Sequence, residues 1–209
     1  MLDYLRDPVA ITRRSFAIVR DEAMLDGLPA DVAGLALRLI HACGMPEIVE
    51  GLAWGGAPGA AAHAALAEGA PVLADCRMVE VGITRARLPA DNPVICTLED
   101  ASVPRRARAA ETTRSAAAVE LWEPVLGGAV VAIGNAPTAL FRLLEMLAEG
   151  APRPAAILAF PVGFVGAAES KDALIAFDGP PPFITLRGRR GGSALASAAV
   201  NAAARGEPT

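Results

Sequence analysis

Five short runs of almost continuously apolar residues recur along the chain, and turn residues bound most of them. Continuous rather than alternating apolarity is typical of strands that are buried on both faces, as in a parallel sheet. The pattern therefore predicts a mainly parallel, roughly five-stranded sheet. The runs are Pro71–Ala74, Val94–Leu98, Ala129–Ile133, Ala155–Phe160 and Phe183–Leu186.

Helical patterns occupy the segments before and between these runs. Because strand and helix alternate, the sequence predicts one doubly wound α/β domain over residues 1–209, with helices flanking the sheet. Clusters of glycine and proline at Gly55–Gly59 and Gly179–Pro182 predict surface loops. The predicted helices are Pro8–Met24, Pro29–Cys43, Pro58–Glu68, Thr112–Leu126, Pro137–Glu149, Gly166–Ala176 and Gly191–Ala204.

The loops that follow the predicted strands are the expected ligand-binding region, because open α/β sheets bind ligands beyond the carboxyl ends of their strands. Arginines gather in several of these loops. A charge run is usually a solvated surface, but several clusters near strand ends would suit a large ligand with several carboxylates. The clusters include Arg85 and Arg87, Arg105 to Arg108, Arg114, and Arg187 to Arg190.

Composition narrows the class of protein. Hydrophobic residues make up 53% and charged residues 20% of the chain, as in a globular domain. Aromatic residues are only 4% and the net charge is −4, which argues against a nucleic-acid-binding surface. No apolar stretch approaches the roughly 18 residues of a membrane span, and the N-terminus has no signal-peptide pattern. Lys171 is the single lysine among 19 basic residues, which reflects either coding bias or a preference for arginine as a carboxylate partner.

Cysteine and histidine usage limits the chemistry further. The three cysteines form no C-x-x-C pair, which fits a reducing compartment, so we expect a cytoplasmic protein. The two histidines are far apart and no acidic cluster has ligand spacing, so no metal site is expected. The glycine-rich loops match neither the P-loop nor the G-x-G-x-x-G pattern, so no dinucleotide motif is present.

His41 is the more interesting histidine. It ends a long amphipathic helix, just before Gly44, a natural C-cap. Histidine is the side chain best suited to proton exchange near neutral pH. From position alone it is either a catalytic residue or a capping and core histidine. His63, in a run of alanines, is interpreted as a surface or packing residue.

Several segments together, in order over nearly the whole chain, resemble the precorrin-8X methylmutase family, also known as cobalt-precorrin-8 methylmutases. Each segment is weakly specific, whereas their joint occurrence is specific. They are Arg14–Arg20, Ile40–Gly44 (Ile-His-Ala-Cys-Gly), Gly69–Asp75, Gly82–Pro89, Val94–Leu98, Thr113–Ala118, Ala132–Leu140, Pro161–Asp172 and Arg187–Ser193.

This resemblance implies an isomerase of cobalamin biosynthesis. The family binds a polycarboxylated tetrapyrrole and shifts a methyl group from C-11 to C-12 of precorrin-8X, giving hydrogenobyrinic acid without a metal or redox cofactor. It also implies an α/β homodimer with active sites near the subunit interface, and no nucleic-acid or membrane partner.

The site residues come from the same resemblance. His41 matches the family's catalytic histidine and is expected to donate a proton or a strong hydrogen bond to a ring nitrogen. For three further positions, Asn135, Ser170 and Lys171, substrate contact and loop structuring both remain open. The clearer substrate contacts implied are Arg14, Ser15, Thr84, Arg85 and Arg114.

Two other functions fit the same residues. The chain could be a tetrapyrrole carrier without turnover, or an α/β isomerase that acts on a smaller anionic substrate. Residues Met45 to Gly59 match no recognised motif, and the basic run Arg105–Arg108 has no assigned role.

Overall fold

The computed structural model describes residue 2 and residues 4–206. Residues 1, 3 and 207–209 of the predicted single domain therefore lie outside the described part. Its centre is a sheet with the strand order β1-β6-β5-β4-β2-β3. The neighbours from β6 to β3 are all parallel, and β1 runs antiparallel to β6 at one edge. The strands are β1 Leu52–Gly55, β2 Val72–Ala74, β3 Val94–Ile95, β4 Val130–Ile133, β5 Ala156–Ala159 and β6 Phe183–Leu186.

The prediction of a mainly parallel α/β domain is confirmed, but the described chain has six strands rather than five. The strand that the sequence analysis missed is β1, whose last residue begins the predicted loop Gly55–Gly59. Four residues between a helical turn and a glycine-rich loop give too little periodicity to detect. Position 55 requires glycine, because a Cβ atom there would lie 2.5 Å from the ring of Phe183 on β6.

The helices begin and end within two residues of the predicted bounds in most cases. One predicted helix, Thr112–Leu126, is instead divided by a 3-10 turn at Glu120–Trp122. Pro124 explains the division, because its ring is incompatible with the carbonyl four residues earlier in a continuous α-helix. Two short helices, α4 and α5, occupy predicted loops. The helices are α1 Pro8–Glu22, α2 Ala30–Cys43, α3 Pro58–Ala67, α4 Arg77–Gly82, α5 Val103–Ala109, α6 Arg114–Val119, α7 Glu123–Leu126, α8 Pro137–Ala148, α9 Ala167–Ala176 and α10 Ser193–Ala203.

Helices cover both faces of the sheet and create two hydrophobic cores. One core joins α1, α2, α3 and α10 to the sheet, and the other joins α6 to α9. Successive residues of β4 alternate between them: Val130 and Ala132 enter the first core, and Val131 and Ile133 the second. Because successive strand residues point to opposite faces, a strand covered on both sides is apolar throughout. This is why the strands appear in the sequence as continuous apolar runs.

Asp75 ties the carboxyl ends of two neighbouring strands together. It follows β2 directly, is buried, and accepts hydrogen bonds from three consecutive backbone N–H groups after β4. Its Oδ1 lies 2.9 Å from the nitrogen of Gly134, and its Oδ2 lies 2.9 and 2.8 Å from those of Asn135 and Ala136. Burial raises the pKa of this carboxyl group, and the three N–H donors oppose that shift.

Replacing this carboxylate tests how much it contributes to the stability of the fold. We expect Asp75→Asn to lower the free energy of unfolding by about 2 kcal/mol, because an amide NH₂ would face backbone donors that now bind a charged acceptor. Urea denaturation at one fixed protein concentration measures the loss. The matched control is Asp178→Asn at an exposed position, which should change stability by less than about 0.5 kcal/mol. Equal stabilities of the two variants would contradict the role given to Asp75.

Candidate active site

His41 lies in the last turn of α2 and faces α1. The helix ends at Gly44, whose left-handed backbone (φ 69°) lets its N–H donate to the carbonyl of Ile40. The Nδ1 atom of His41 lies 2.9 Å from the hydroxyl oxygen of Ser15 on α1. The imidazole also packs against Phe16, with ring centroids 4.8 Å apart. Two contacts from one helix thus fix the orientation of a side chain on the other.

A cavity of about 430 Å³ opens beside this pair. Arg14, Ser15 and His41 line it together, so the structure brings three of the predicted site residues to one place. Much of the remaining wall is apolar, including Leu5, Ile11, Ile18, Val19 and Pro46.

The two nitrogens of His41 have different environments. Ser15 occupies Nδ1, while Nε2 has no hydrogen-bond partner among the described residues. If the ring is neutral with its proton on Nε2, the Ser15 hydroxyl donates to Nδ1; if the ring is an imidazolium, Nδ1–H donates to the hydroxyl oxygen. In these two states Nε2 carries an N–H group with no partner in the described part of the chain, whereas a neutral ring with its proton on Nδ1 would make Nε2 an acceptor. The arrangement can therefore present a hydrogen-bond donor or an acid to a bound molecule.

The loop after β6 lies next to this cavity. Glu47, in the 3-10 turn Pro46–Gly51 that follows α2, pairs with Arg190 at 3.1 Å. The N–H of Arg187 donates to the carbonyl of Gly51 at 2.8 Å. His41 therefore sits near the carboxyl end of β6, at the edge of the sheet where ligands are expected.

Four other predicted residues lie in the segments that follow β2, β3 and β4 along the chain. Arg85 is exposed and pairs with Glu80 at 3.1 Å. Arg114 begins α6 and donates to the carbonyl of Leu98 at 3.2 Å. Strands β2 and β6 are three positions apart in the sheet, which corresponds to about 14 Å. The remaining members are Thr84, whose N–H donates to the side chain of Asn201, and Asn135, whose side chain is exposed.

Ser170 and Lys171 lie in a different environment, because both are fully buried on α9. The Ser170 hydroxyl donates to the carbonyl of Ala167, within its own helix turn. The Lys171 ammonium donates to the carbonyl of Arg190 at 2.7 Å. Burial lowers the pKa of Lys171 to about 8, and the neighbouring Asp172 opposes the shift. The contact of Lys171 therefore organises the loop after β6 from inside, whereas that of Ser170 stays within α9.

The same loop crosses closely over the end of β5. The N–H of Gly192 donates to the carbonyl of Phe160 at 2.8 Å, and a side chain at Gly191 would collide with the carbonyl oxygens of Phe160 and Pro161. On the outer side, the Arg189 guanidinium lies over the ring of the exposed Phe164, 5.4 Å from its centroid. Glycine is therefore required where the arginine loop meets the neighbouring strand.

Phe16 is the site residue that the sequence analysis did not single out, although it lies inside the matched segment Arg14–Arg20. It is buried, contacts His41, and carries the guanidinium of Arg38 4.5 Å from its ring centroid. An available signal was its position next to Ser15 in a chain with only six phenylalanines.

Two features are absent from the described residues. No group of three or more His, Cys, Asp or Glu side chains is arranged to hold a metal ion. None of the helices in this part of the chain is long and apolar enough to cross a membrane.

Comparisons with known proteins agree with one another. The family model described as "CbiC: Precorrin-8X methylmutase" matches residues 10–205. A precorrin-8X methylmutase of Pseudomonas aeruginosa is 60% identical over 98% of this chain and 98% of its own length. A precorrin-8X methylmutase of Sinorhizobium sp is 57% identical over 97% of both chains. The crystal structure of a precorrin-8X methylmutase from Thermus thermophilus superposes with a TM-score of 0.84 at 37% identity, covering 94% of this chain and 96% of that one.

The buried ammonium of Lys171 predicts a pH dependence of stability. Unfolded lysine keeps its proton up to a pH of about 10.5, whereas folded Lys171 releases it near pH 8, so the unfolded state binds more protons between these values. We therefore expect the stability of the wild type, relative to Lys171→Met, to rise as the pH increases from about 8 to 10.5. Urea denaturation across that range measures the difference. Ser170→Ala, altered at the adjacent buried residue, keeps Lys171, so the difference in stability between the wild type and this variant should not change with pH. A difference between the wild type and Lys171→Met that does not change with pH would contradict the prediction.

Proposed function

Because this chain belongs to the precorrin-8X methylmutase family, we propose that His41 is the residue that acts on the macrocycle in that family's reaction. The chain is an isomerase of cobalamin biosynthesis. It moves one methyl group within precorrin-8X, from C-11 to C-12, and the product is hydrogenobyrinic acid. Its substrate is a tetrapyrrole with several carboxylate groups.

One observation carries the role of His41: Ser15 holds its Nδ1 at 2.9 Å, while Nε2 has no partner among the described residues beside an open cavity. A positioned N–H can donate to a ring nitrogen of a macrocycle bound there. Protonation of that nitrogen, or a strong hydrogen bond to it, withdraws electron density from the conjugated system. The bond between C-11 and the methyl group is weakened as a result.

The methyl group then forms a bond to C-12 as the bond to C-11 breaks, so the reaction is intramolecular and leaves the oxidation level unchanged. Any proton that His41 gives to the ring nitrogen returns to His41 when the product forms. A single positioned acid typically contributes roughly 10²–10⁴-fold to a rate. The remainder must come from holding the macrocycle in the reactive conformation.

The exposed guanidinium groups are suited to the periphery of this substrate. We assign Arg14, Arg85 and Arg114 to carboxylate side chains of the macrocycle, because arginine binds carboxylates with two parallel charge-assisted hydrogen bonds. Thr84 and Asn135 would orient polar groups of the substrate. His41 lies near the end of β6, and β2 is about 14 Å from β6, so a ligand that also contacts the segments after β2 to β4 would have to be large.

Ser170 and Lys171 would support the site indirectly. Both side chains are buried, and the ammonium of Lys171 already donates to the backbone at Arg190. We therefore favour loop structuring over substrate contact for these two residues.

We also propose that the whole chain is one domain that works as a cytoplasmic homodimer. The first helix supports the dimer, because Ile11 and Ile18 on α1 are 44% and 45% exposed. An apolar surface of this kind beside the cavity would be covered by a second copy of the chain. The cysteines of the described part are all free, which fits the reducing cytoplasm.

Turnover of precorrin-8X by the purified protein, followed by visible absorption, tests the role of His41. We expect His41→Ala to lower kcat by roughly 10²–10⁴-fold while binding of hydrogenobyrinic acid is retained, since the donor is lost but the cavity remains. Ser15→Ala should lower kcat about tenfold, because it removes one hydrogen bond that orients the ring of His41. His63→Ala is the matched control and should leave kcat unchanged, because His63 contacts Ala203 instead.

Three outcomes of this experiment would change the proposal. Full activity of His41→Ala would remove the residue from the mechanism. Tight binding of precorrin-8X by the wild type without conversion would support the carrier instead. Saturation by a small acid in place of the tetrapyrrole would support an isomerase of a smaller substrate.

Sedimentation equilibrium tests the dimer. We expect the wild type to have twice the chain mass and Ile18→Glu to shift it toward the monomer, because a buried carboxylate would be placed in the proposed interface. Val125→Glu, at a 39% exposed valine on α7, is the control and should remain dimeric. A fully active monomeric wild type would refute the proposal.

A further inference from the structure

A second groove of about 500 Å³ runs along the other flank of α1. The His41 cavity is lined by Ile11, Ser15 and Ile18, whereas Thr12 and Phe16 of the neighbouring helical stripe line this groove. Its chemistry also differs. Three guanidinium groups line the second groove, from Arg13, Arg20 and Arg205.

Further cations lie close to it. Arg38 of α2 is partly buried, and its guanidinium lies 4.5 Å from the ring centroid of Phe16, which lines the groove. The pKa of Arg38 is lowered, first by burial and then by the positive charges of Arg205 and Arg87. Arginines from α1, α2 and the end of α10 therefore converge on one place.

Four of the five arginines named above form no ion pair with an acidic residue in the described part of the chain, unlike arginines elsewhere in the fold. Within the described residues, no ion pair joins Arg13, Arg38, Arg87 or Arg205 to a carboxylate. By contrast, Arg142 contacts three glutamates, as the ion pairs with Glu120, Glu145 and Glu149 show.

Asp7, at the adjacent end of α1, is already used as a helix cap. Its carboxylate accepts the N–H groups of Val9 and Ala10. Like charges that converge repel one another, and the half-buried guanidinium of Arg38 is also partly desolvated. A carboxylate group bound between them would relieve both costs.

We propose that this groove is a second anion-binding site, in which Arg13, Arg38 and Arg205 hold the carboxylates of a polycarboxylate ligand. Phe16 forms the wall between the groove and the catalytic cavity, because it contacts Arg38 at 4.5 Å and His41 at 4.8 Å. The ligand carboxylates have two sources: an arm of the tetrapyrrole itself, which rests on the proposed function, or a separate small polycarboxylate.

Binding measurements with two probes test the site, using hydrogenobyrinic acid and citrate in isothermal titration calorimetry. Arg38→Gln and Arg205→Gln each remove one guanidinium, and we expect each to weaken the probe that occupies the groove by about tenfold. Arg105→Gln is the matched control, because Arg105 is exposed on α5 and has no ion pair within the described residues. Thermal unfolding checks that the variants fold, and Arg205→Gln at the chain surface carries the test if Arg38→Gln does not.

The two sources give different results. A tetrapyrrole arm is supported if hydrogenobyrinic acid binds about tenfold more weakly to both variants and citrate competes with it. A separate ligand is supported if citrate binds wild type saturated with hydrogenobyrinic acid, and the variants lose only citrate binding. The site is refuted if neither probe distinguishes these variants from Arg105→Gln. Failure of the wild type to convert precorrin-8X would refute the proposed function, whereas citrate binding would still test the groove.

Discussion

The buried carboxylate of Asp75 is the constraint from which the arrangement of the site follows. By accepting three N–H groups after β4, it fixes the loop that begins α8 against the end of β2. Gly134 in that loop packs against the start of α10, where a Cβ atom would lie 2.7 Å from the Cα of Ser193. Helix α10 in turn packs against α2, which carries His41. The position of the imidazole therefore depends, through this chain of packed elements, on a buried carboxyl group at the end of β2.

The helix α1 completes the site and divides it. One stripe of α1 provides Ser15 and an apolar wall for the His41 cavity, and the adjacent stripe faces the arginines. Phe16 lies between the two and contacts both His41 and Arg38. Both environments suit the proposed reaction, since carboxylates bind cations, whereas the hydrogen bond proposed for His41 is stronger away from water.

The core of this fold could be predicted from apolar runs because burial on both faces leaves no polar position in β4 or β5. The short edge strand β1 and the break before Pro124 could not, since four residues carry little periodicity and one proline acts through local sterics. For the site, the resemblance identified His41, and its closeness to Ser15 is a tertiary contact across 26 residues. The sequence around Lys171 also did not show that its side chain points inward, because this direction depends on how α9 packs.

The pairing of Ser15 with His41 places the two halves of one hydrogen bond on separate helices, with α2 as the main packing partner of α1. A terminal helix held by few neighbours belongs to the least protected part of a fold and can detach while the sheet remains intact. Detachment of α1 would remove the contacts that orient the imidazole of His41. It would also remove one wall of the cavity and the boundary formed by Phe16. The hydrogen bond between Ser15 and His41, the cavity wall and the boundary at Phe16 thus all depend on the docking of one helix.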